Sequence, residues 1–352
     1  MKILILGGTG AMGKHLVNLL DRDGVETVVT SRKKRNSQGH IRYIQGDARD
    51  RHFLENLLQE QYDCIVDFMI YTTQEFLYRY KKLLSNTKQY VFLSSSRVYA
   101  NSDSPITEDS PRLLDISTDA AFLATDEYAL AKARQEDILR NSGTTNWTII
   151  RPYITYSEIR LQLGVLEKEE WLYRALHGRT IVFSENIAKK TTTLTHGYDV
   201  ARGLYTLIGN EFAYSRIFQI TGNQSVSWND VLNIYVGVLK KELGYTPKVL
   251  LCSMTDFMKC HFAEYQIKYD RMFDRVFDNS RIKQFIDVES FKNTGKGLSD
   301  CLTEFLKDTP FFYLNGRTEA YKDRLTHEYT PLKEIRSIKQ KIKYILFRFL
   351  LK

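Results

Sequence analysis

The chain has 352 residues, with 50 Lys+Arg against 42 Asp+Glu and a formal net charge of +8. Hydrophobic residues make up 43% and charged residues 26%. These ordinary globular values exclude disordered, collagen-like and coiled-coil classes and leave room for two domains, or one large α/β domain with a smaller lobe. The basic excess suggests an anionic partner without choosing among nucleic acid, a membrane surface and a phosphorylated small molecule.

In chain order, Lys2–Leu6 is a short apolar run ending in glycines, and the spacing of Met12, Leu16, Leu19 and Leu20 predicts a helix over Ala11–Leu20. Val25–Thr30 and Ile41–Ile44 read as strands, and Asp50 opens a helix containing Phe53–Leu58. Asp63–Met69 and Tyr90–Leu93 read as buried strands, with a helix over about Gln74–Leu84 between them. A helix over about Ala120–Arg140 precedes the β-branched run Thr145–Ile150. Such alternation predicts a parallel sheet covered on both faces, an α/β Rossmann domain over residues 1–152. The stretch Tyr153–Arg179 then reads as mainly helical and polar, Ile217–Ile220 as a strand, and Ser227 as the N-cap of a helix over Trp228–Leu243. Residues 153–330 are expected to form mainly a substrate lobe, with segments near 190–222 returning to the first domain.

The four cysteines, Cys64, Cys252, Cys260 and Cys301, are far apart, and the seven histidines show no H-x-x-x-H spacing. A disulfide framework and a metal site are therefore not expected, and reduced thiols in a cytoplasmic protein fit best. The first apolar run is too short for a signal-peptide core, and no stretch approaches the ~18 apolar residues of a membrane-spanning helix.

Gly7-Gly8-Thr9-Gly10-Ala11-Met12-Gly13 follows the first strand directly and opens the first helix. Gly7 permits the tight turn, Gly10 removes a side chain where backbone must approach a pyrophosphate, and Gly13 lets the helix pack closely on the sheet. The helix N-terminus adds free N–H groups and a positive dipole end. Gly7, Thr9, Gly10, Ala11, Met12 and Gly13 are thus expected to hold a dinucleotide. Most such folds place an acid after the second strand to bind a ribose 2′-OH; here the segment Ser31-Arg32-Lys33-Lys34-Arg35 has none. Arg32 can pair with a 2′-phosphate and Ser31 can donate to it, which favours NADP over NAD; the alternative is a solvated basic loop. Asp47, followed by Ala48, either accepts from the adenine amino group or serves the next helix as N-cap or turn residue. Phe68, at the end of the fourth strand, belongs to the expected cofactor lining.

Tyr128-Ala129-Leu130-Ala131-Lys132 puts a phenol and an ammonium one turn apart on one helix face. Tyrosine, with an ordinary pKa near ~10, is a poor base at neutral pH, and a nearby ammonium stabilises its phenolate. The pattern gains weight from Ser94-Ser95-Ser96-Arg97-Val98-Tyr99 at the end of the fifth strand. Ligands of open α/β sheets bind outside the carboxyl ends of strands, where a serine can polarise a substrate hydroxyl or ketone.

With these motifs the chain resembles the extended short-chain dehydrogenase/reductases, the NAD(P)-dependent epimerase/dehydratase family. The glycine loop, S-S-S-x-V-Y, Y-x-x-x-K and Ile150-Arg151-Pro152 come in family order, and Thr195-His196-Gly197-Tyr198-Asp199-Val200-Ala201 resembles its later h-v-D-v-A segment. The resemblance covers about residues 1–310. It implies that Ser95 is the catalytic Ser/Thr, that Tyr128 is the acid/base, and that Lys132 also holds the nicotinamide ribose, in hydride transfer at a carbinol carbon. It also implies departures. Family dehydratases carry an Asp-Glu pair where this chain has Ser96-Arg97, which disfavours dehydration. N-V-Y-G-P becomes Tyr153-Ile154-Thr155-Tyr156-Ser157, and H-h-A-A becomes Asp67-Phe68-Met69-Ile70, so the nicotinamide side and the substrate grip are atypical. Asp67 is either an acid near the cofactor or a capped structural residue.

Ser96, Arg97, Tyr153, Arg160 and Arg281 are the candidate substrate residues. Arginines of the later lobe, including Arg174 and Arg179, and Lys168 could also clamp a nucleotide diphosphate; the alternative for each is a surface charge. Residues 331–352 read as a basic amphipathic helix. Ile335, Ile338, Ile342, Ile345, Leu346 and Phe349 follow three/four spacing, with Arg336, Lys339, Lys341 and Lys343 opposite. Three readings stand open: docking on the chain's own core or a dimer mate, lying on an anionic membrane, and nucleic-acid contact. Residues 333–352 hold seven cations against Glu334 alone, so most of the net charge belongs to this segment.

The expected function is NAD(P)-dependent hydride transfer on a nucleotide-activated sugar in glycan-precursor synthesis, as a C4 epimerase or a 4-keto reductase. The alternatives are an NADPH-dependent reductase of another small carbonyl compound, and a non-catalytic, cofactor-bound RNA-binding or regulatory protein. Expected partners are the small-molecule substrate, a second copy in a homodimer and, through the last helix, the inner face of a membrane. Nucleic acid is disfavoured.

Overall fold

The structure is a computed structural model and describes residues 1–311 and 313–351. The chain forms two compact units. The first comprises Met1–Thr155, Thr193–Gln224 and Val276–Thr294; the second comprises Tyr156–Thr192, Ser225–Arg275 and the chain from Gly295 onward.

The first unit is built on seven strands: β1 (Lys2–Leu6), β2 (Glu26–Ser31), β3 (Ile41–Gln45), β4 (Tyr62–Asp67), β5 (Thr87–Leu93), β6 (Trp147–Pro152) and β7 (Arg216–Ile220). Their order across the sheet is β7-β6-β5-β4-β1-β2-β3, and every neighbouring pair is parallel. The period-two geometry of β1 sends Ile3 and Ile5 into one core with Leu16 and Leu20 of helix α1 (Gly13–Arg22). Leu4 and Leu6 enter the opposite core with Leu54 and Leu57 of α2 (Arg51–Leu57), together with Phe76. Both faces are covered, as a parallel sheet requires. The sequence order of the strands reverses between β1 and β4, which opens a crevice at their carboxyl ends.

Two expected helices are each divided in the structure. The helix expected over 74–84 is two, Thr73–Leu77 and Tyr80–Ser85. Arg79 leaves helical geometry with φ −120° and turns its guanidinium back to donate to the Glu75, Ala48 and Arg49 carbonyls. The helix expected over 120–140 is Ala120–Leu123 and then α3 (Tyr128–Arg140). Arg134 satisfies the Leu123 and Thr125 carbonyls, and the Glu127 carboxylate accepts from Ala129 N–H as the new N-cap. Tyr128 is thereby the first residue of α3. Helix α4 (Gly197–Leu207) returns to the first unit and packs beside α1.

In the second unit the mainly helical reading of Tyr153–Arg179 is corrected, since only Lys168–Leu176 is helical there. Before it, Ser157 and Arg160 exchange backbone hydrogen bonds, as do Leu163 and Leu166. Gly164 takes φ +60° in the second of these tight turns, and a Cβ there would lie 2.7 Å from the Phe183 ring. The same unit contains the helices Trp228–Leu243, α5 (Gly316–Thr326) and α6 (Ile338–Ile345), with a π-helical turn Leu346–Leu350 after α6. No helix among the described residues is long and apolar enough to cross a membrane.

Candidate functional site

The glycine loop turns immediately after β1. Gly7 has φ +74°, and its N–H donates to Thr30 Oγ1 at 2.9 Å, tying the turn to β2. Gly13 is an N-terminal helical residue pressed on the loop: a Cβ would lie 2.7 Å from the Gly8 backbone. Gly10 is the opposite case, with no atom within 4 Å of an added Cβ. The loop therefore has one glycine for the turn, one for close packing and one facing open space. Ala11 lies against α4, where a Cβ on Gly197 would meet the Ala11 carbonyl at 2.2 Å. Met12 is the N-cap of α1 and packs against the core.

A cleft of about 280 Å³ opens at this point. Of the expected cofactor residues it gathers Gly7, Thr9, Gly10, Ser31, Arg32, Asp47, Ala48 and Phe68; Thr30, Gly46, Arg49, Met69 and Ile70 also line it. Ser31 is buried, and its hydroxyl accepts from Lys33 N–H at 3.3 Å, while Arg32 is exposed. The Asp47 carboxylate accepts from Arg49 N–H at 2.9 Å in a turn, and Asp50 caps α2. Between the two structural readings of Asp47, turn residue is the one observed. Open space at Gly10 and a positive-φ glycine at one cleft, in the loop that leads into α1, fit a dinucleotide diphosphate, whereas Ala11, Met12, Gly13, Tyr128 and Lys132 are not part of the lining.

The Ser95, Tyr128 and Lys132 positions are built from β5 and α3. Ser95 follows β5 and caps a 3₁₀ turn, Ser96–Val98, by accepting from Arg97 N–H at 3.2 Å. That turn packs on α3. The Arg97 guanidinium lies 5.1 Å from the centre of the half-buried Tyr128 ring and pairs with Glu127 at 2.5 Å. Lys132 is 2% exposed. Its Nζ donates to the Leu93 carbonyl at 2.7 Å and the Met69 carbonyl at 3.4 Å and sits 4.4 Å over the Phe92 ring. One ammonium thus joins the end of β5 to a residue of the cleft lining. Burial lowers its pKa to about 8, with the charges of Asp67 and Glu136 opposing the shift.

Asp67 is fully buried and accepts from Met69 N–H, Tyr71 Oη and Tyr90 Oη, which makes it the capped structural residue of the two readings. Burial raises its pKa, and these hydrogen bonds and Lys132 oppose that. Sequence reading missed Glu136, one turn beyond Lys132. It is fully buried, accepts from Ser94 Oγ, and takes a two-point ion pair from Arg151 at 2.8 and 2.6 Å. Burial alone would push this carboxyl up; Arg151, Ser94 and Arg112 together hold it below the ordinary range. The signal was the continued four-residue spacing Tyr128, Lys132, Glu136.

The candidate substrate residues are mostly engaged within the protein. Ser96 Oγ is buried and donates to the Arg151 carbonyl at 2.9 Å. Tyr153 is buried, 5.0 Å from the Phe277 ring. Arg281 donates to the Ile217 carbonyl and to Asp109 at 2.7 Å. In the second unit Arg160 is 3.7 Å from Glu167. Arg174 is fully buried among Glu319, Asp323 and Glu328, Arg179 pairs with Glu334, and Lys168 pairs with Glu169. Among the described residues no cluster of three or more His, Cys, Asp or Glu is placed to hold a metal.

The profile of the NAD dependent epimerase/dehydratase family matches residues 3–220. The chain is similar to the chloroplast stem-loop binding protein of 41 kDa b of Arabidopsis thaliana, at 26% identity over 247 residues. That match covers 65% of this chain and 60% of the relative's length. Its fold is similar to that of dTDP-glucose 4,6-dehydratase from Bacillus anthracis in complex with NAD, with TM-score 0.65 and 16% identity over 88% of this chain and 97% of that one. It is also similar to UDP-glucuronic acid 4-epimerase from Bacillus cereus in complex with UDP-glucuronic acid and NAD, with TM-score 0.63 and 17% identity over 87% and 100%.

Proposed function

The chain belongs to the NAD dependent epimerase/dehydratase family, and from that premise we propose that it is an enzyme of hydride transfer on a nucleotide-activated sugar, acting as a C4 epimerase or a 4-keto reductase in glycan-precursor synthesis. The observation that carries the reading is Lys132 Nζ, buried between the Leu93 and Met69 carbonyls, on the same helix as Tyr128 and beside the cleft of the glycine loop. Two solved structures of similar fold are complexes, one with NAD and one with UDP-glucuronic acid and NAD, which supports a dinucleotide and a nucleotide sugar here.

In this reading Gly7, Thr9 and Gly10 and the N-terminus of α1 hold the diphosphate. Ser31 and Arg32 hold the adenosine ribose, with NADP preferred because the segment offers cations and no acid. When bound, the dinucleotide supplies a hydride acceptor or donor at C4 of its nicotinamide. Tyr128 Oη takes the proton of the substrate hydroxyl as its carbon is oxidised and returns it when the ketone is reduced. Lys132 follows Tyr128 by one turn on the same helix face, and Arg97, paired with Glu127, lies beside the Tyr128 ring. Ser95 Oγ orients the substrate oxygen. With Ser96 and Arg97 at the Asp-Glu positions of family dehydratases, no acid pair is present there for loss of water. The test is turnover of UDP- and dTDP-hexoses, or of their 4-keto forms, by the wild type and by Tyr128→Phe.

A second reading, a cofactor-bound RNA-binding protein, is favoured by the name of the Arabidopsis relative. Filter binding of a stem-loop RNA across a salt series separates the two. RNA binding by phosphate contacts would persist at ~0.15 M salt and weaken steeply above it, whereas the enzyme reading expects no retention there.

A further inference from the structure

Helix α6 sits on α5 by an uncommon face. Its inward residues are Gln340 and Tyr344, both buried. Gln340 Oε1 accepts from Gly316 N–H at 2.9 Å, and Gly316 allows the close approach, since a Cβ there would lie 2.0 Å from the Gln340 carbonyl. Tyr344 Oη donates to Asp323 at 2.7 Å and accepts from Thr330 N–H at 2.9 Å. Arg324 holds the following turn through the Phe347 and Leu351 carbonyls. The anchoring face is therefore polar and aromatic. The apolar stripe points the other way: Ile338, Ile342, Ile345 and Phe349 are 75%, 53%, 39% and 61% exposed. The helix thus docks on its own chain, one of the sequence readings, through Gln340 and Tyr344, while of the apolar run only Ile335 is buried.

We propose that this stripe lies on an anionic lipid bilayer. Charge complementarity selects that occupant. By helical periodicity Lys339 borders one side of the stripe and Lys341 the other, Lys343 is near, and no acid follows Glu334. An apolar stripe bordered by lysines is the arrangement of a helix lying in the membrane interface. Its isoleucines and phenylalanine enter the acyl boundary while the ammonium groups reach headgroup phosphates. A second copy of the chain fits worse. Two-fold packing of one stripe on itself would bring lysines against lysines with no acid in the segment to pair them.

The test is co-sedimentation of the full chain with phosphatidylcholine vesicles and with vesicles containing phosphatidylglycerol. The wild type is expected to sediment with the anionic vesicles and not with the neutral ones. Ile342→Glu/Phe349→Glu and, separately, Lys339→Glu/Lys341→Glu should each cut the bound fraction roughly tenfold. Lys339, Ile342 and Phe349 are exposed and Lys341 is half-buried, so the melting temperature of Ile342→Glu/Phe349→Glu should not change. Three results would each overturn the proposal: no sedimentation of the wild type, equal sedimentation of the wild type and Ile342→Glu/Phe349→Glu, or a solution dimer that this variant abolishes while vesicle binding is absent throughout.

Discussion

Gly10 and Gly13 are the same residue in the same loop, yet the structure gives them different tasks. An added Cβ meets nothing at Gly10 and meets backbone at 2.7 Å at Gly13. Gly10→Val is therefore expected to leave the unfolding midpoint unchanged and to raise the dinucleotide Kd at least about tenfold, or ~1.4 kcal/mol. Gly13→Ala should instead cost about 1–3 kcal/mol of stability through overpacking. Calorimetric titration with NADPH and denaturant unfolding of both variants check the contrast. Much of the loop's geometry was legible, because glycine at fixed spacing encodes a backbone requirement. The acceptors of Lys132 were not, because a carbonyl such as that of Met69 leaves no trace in the side-chain sequence. Arg97 and Arg281 illustrate the converse: a cation is visible in sequence, while its partners, Glu127 and Asp109, come from segments that only folding brings near.

At the scale of elements, α3 carries the proposed chemistry. Tyr128, Lys132 and Glu136 share one face, and Glu136 fixes that face to β6 through Arg151. Glu136→Gln leaves the buried Arg151 charge without its counter-ion and should cost about 3–5 kcal/mol, read from urea unfolding. Because the folded-state carboxyl lies below its ordinary range, the stabilisation is complete above the unfolded-state value near ~4.3 and is lost as pH falls through the folded-state value. In the variant, that acid-side loss should shrink. The existence of this helix was legible from periodicity, but its start was not. Apolar spacing continues across residues 120–140, and the division comes from capping by Glu127 and Arg134. The same holds for Arg79, whose side chain ends a helix that spacing alone would continue.

At the scale of the molecule, strand–helix alternation was enough to anticipate a parallel sheet with helices on both faces. The return of Val276–Thr294 to the first unit was not legible, since no local pattern records which sheet edge a late segment rejoins. The tight turns before Lys168–Leu176 were missed although Ile159, Leu161, Leu163 and Val165 alternate there, and Gly164 supplies the positive φ that the second turn requires. The net charge of +8 also divides unevenly, with seven cations on the segment that presents the exposed apolar stripe and a nearly neutral body carrying the cleft. That distribution suits an enzyme of a small anionic substrate held at a surface. Hydride transfer with Tyr128 as acid/base is tested by product formation from nucleotide hexoses at saturating NAD or NADPH, in the wild type and Tyr128→Phe. Conversion is expected with the wild type, and with Tyr128→Phe a loss of kcat of about a hundredfold or more, ~2.7 kcal/mol, with dinucleotide binding unchanged. Full turnover in Tyr128→Phe would contradict it.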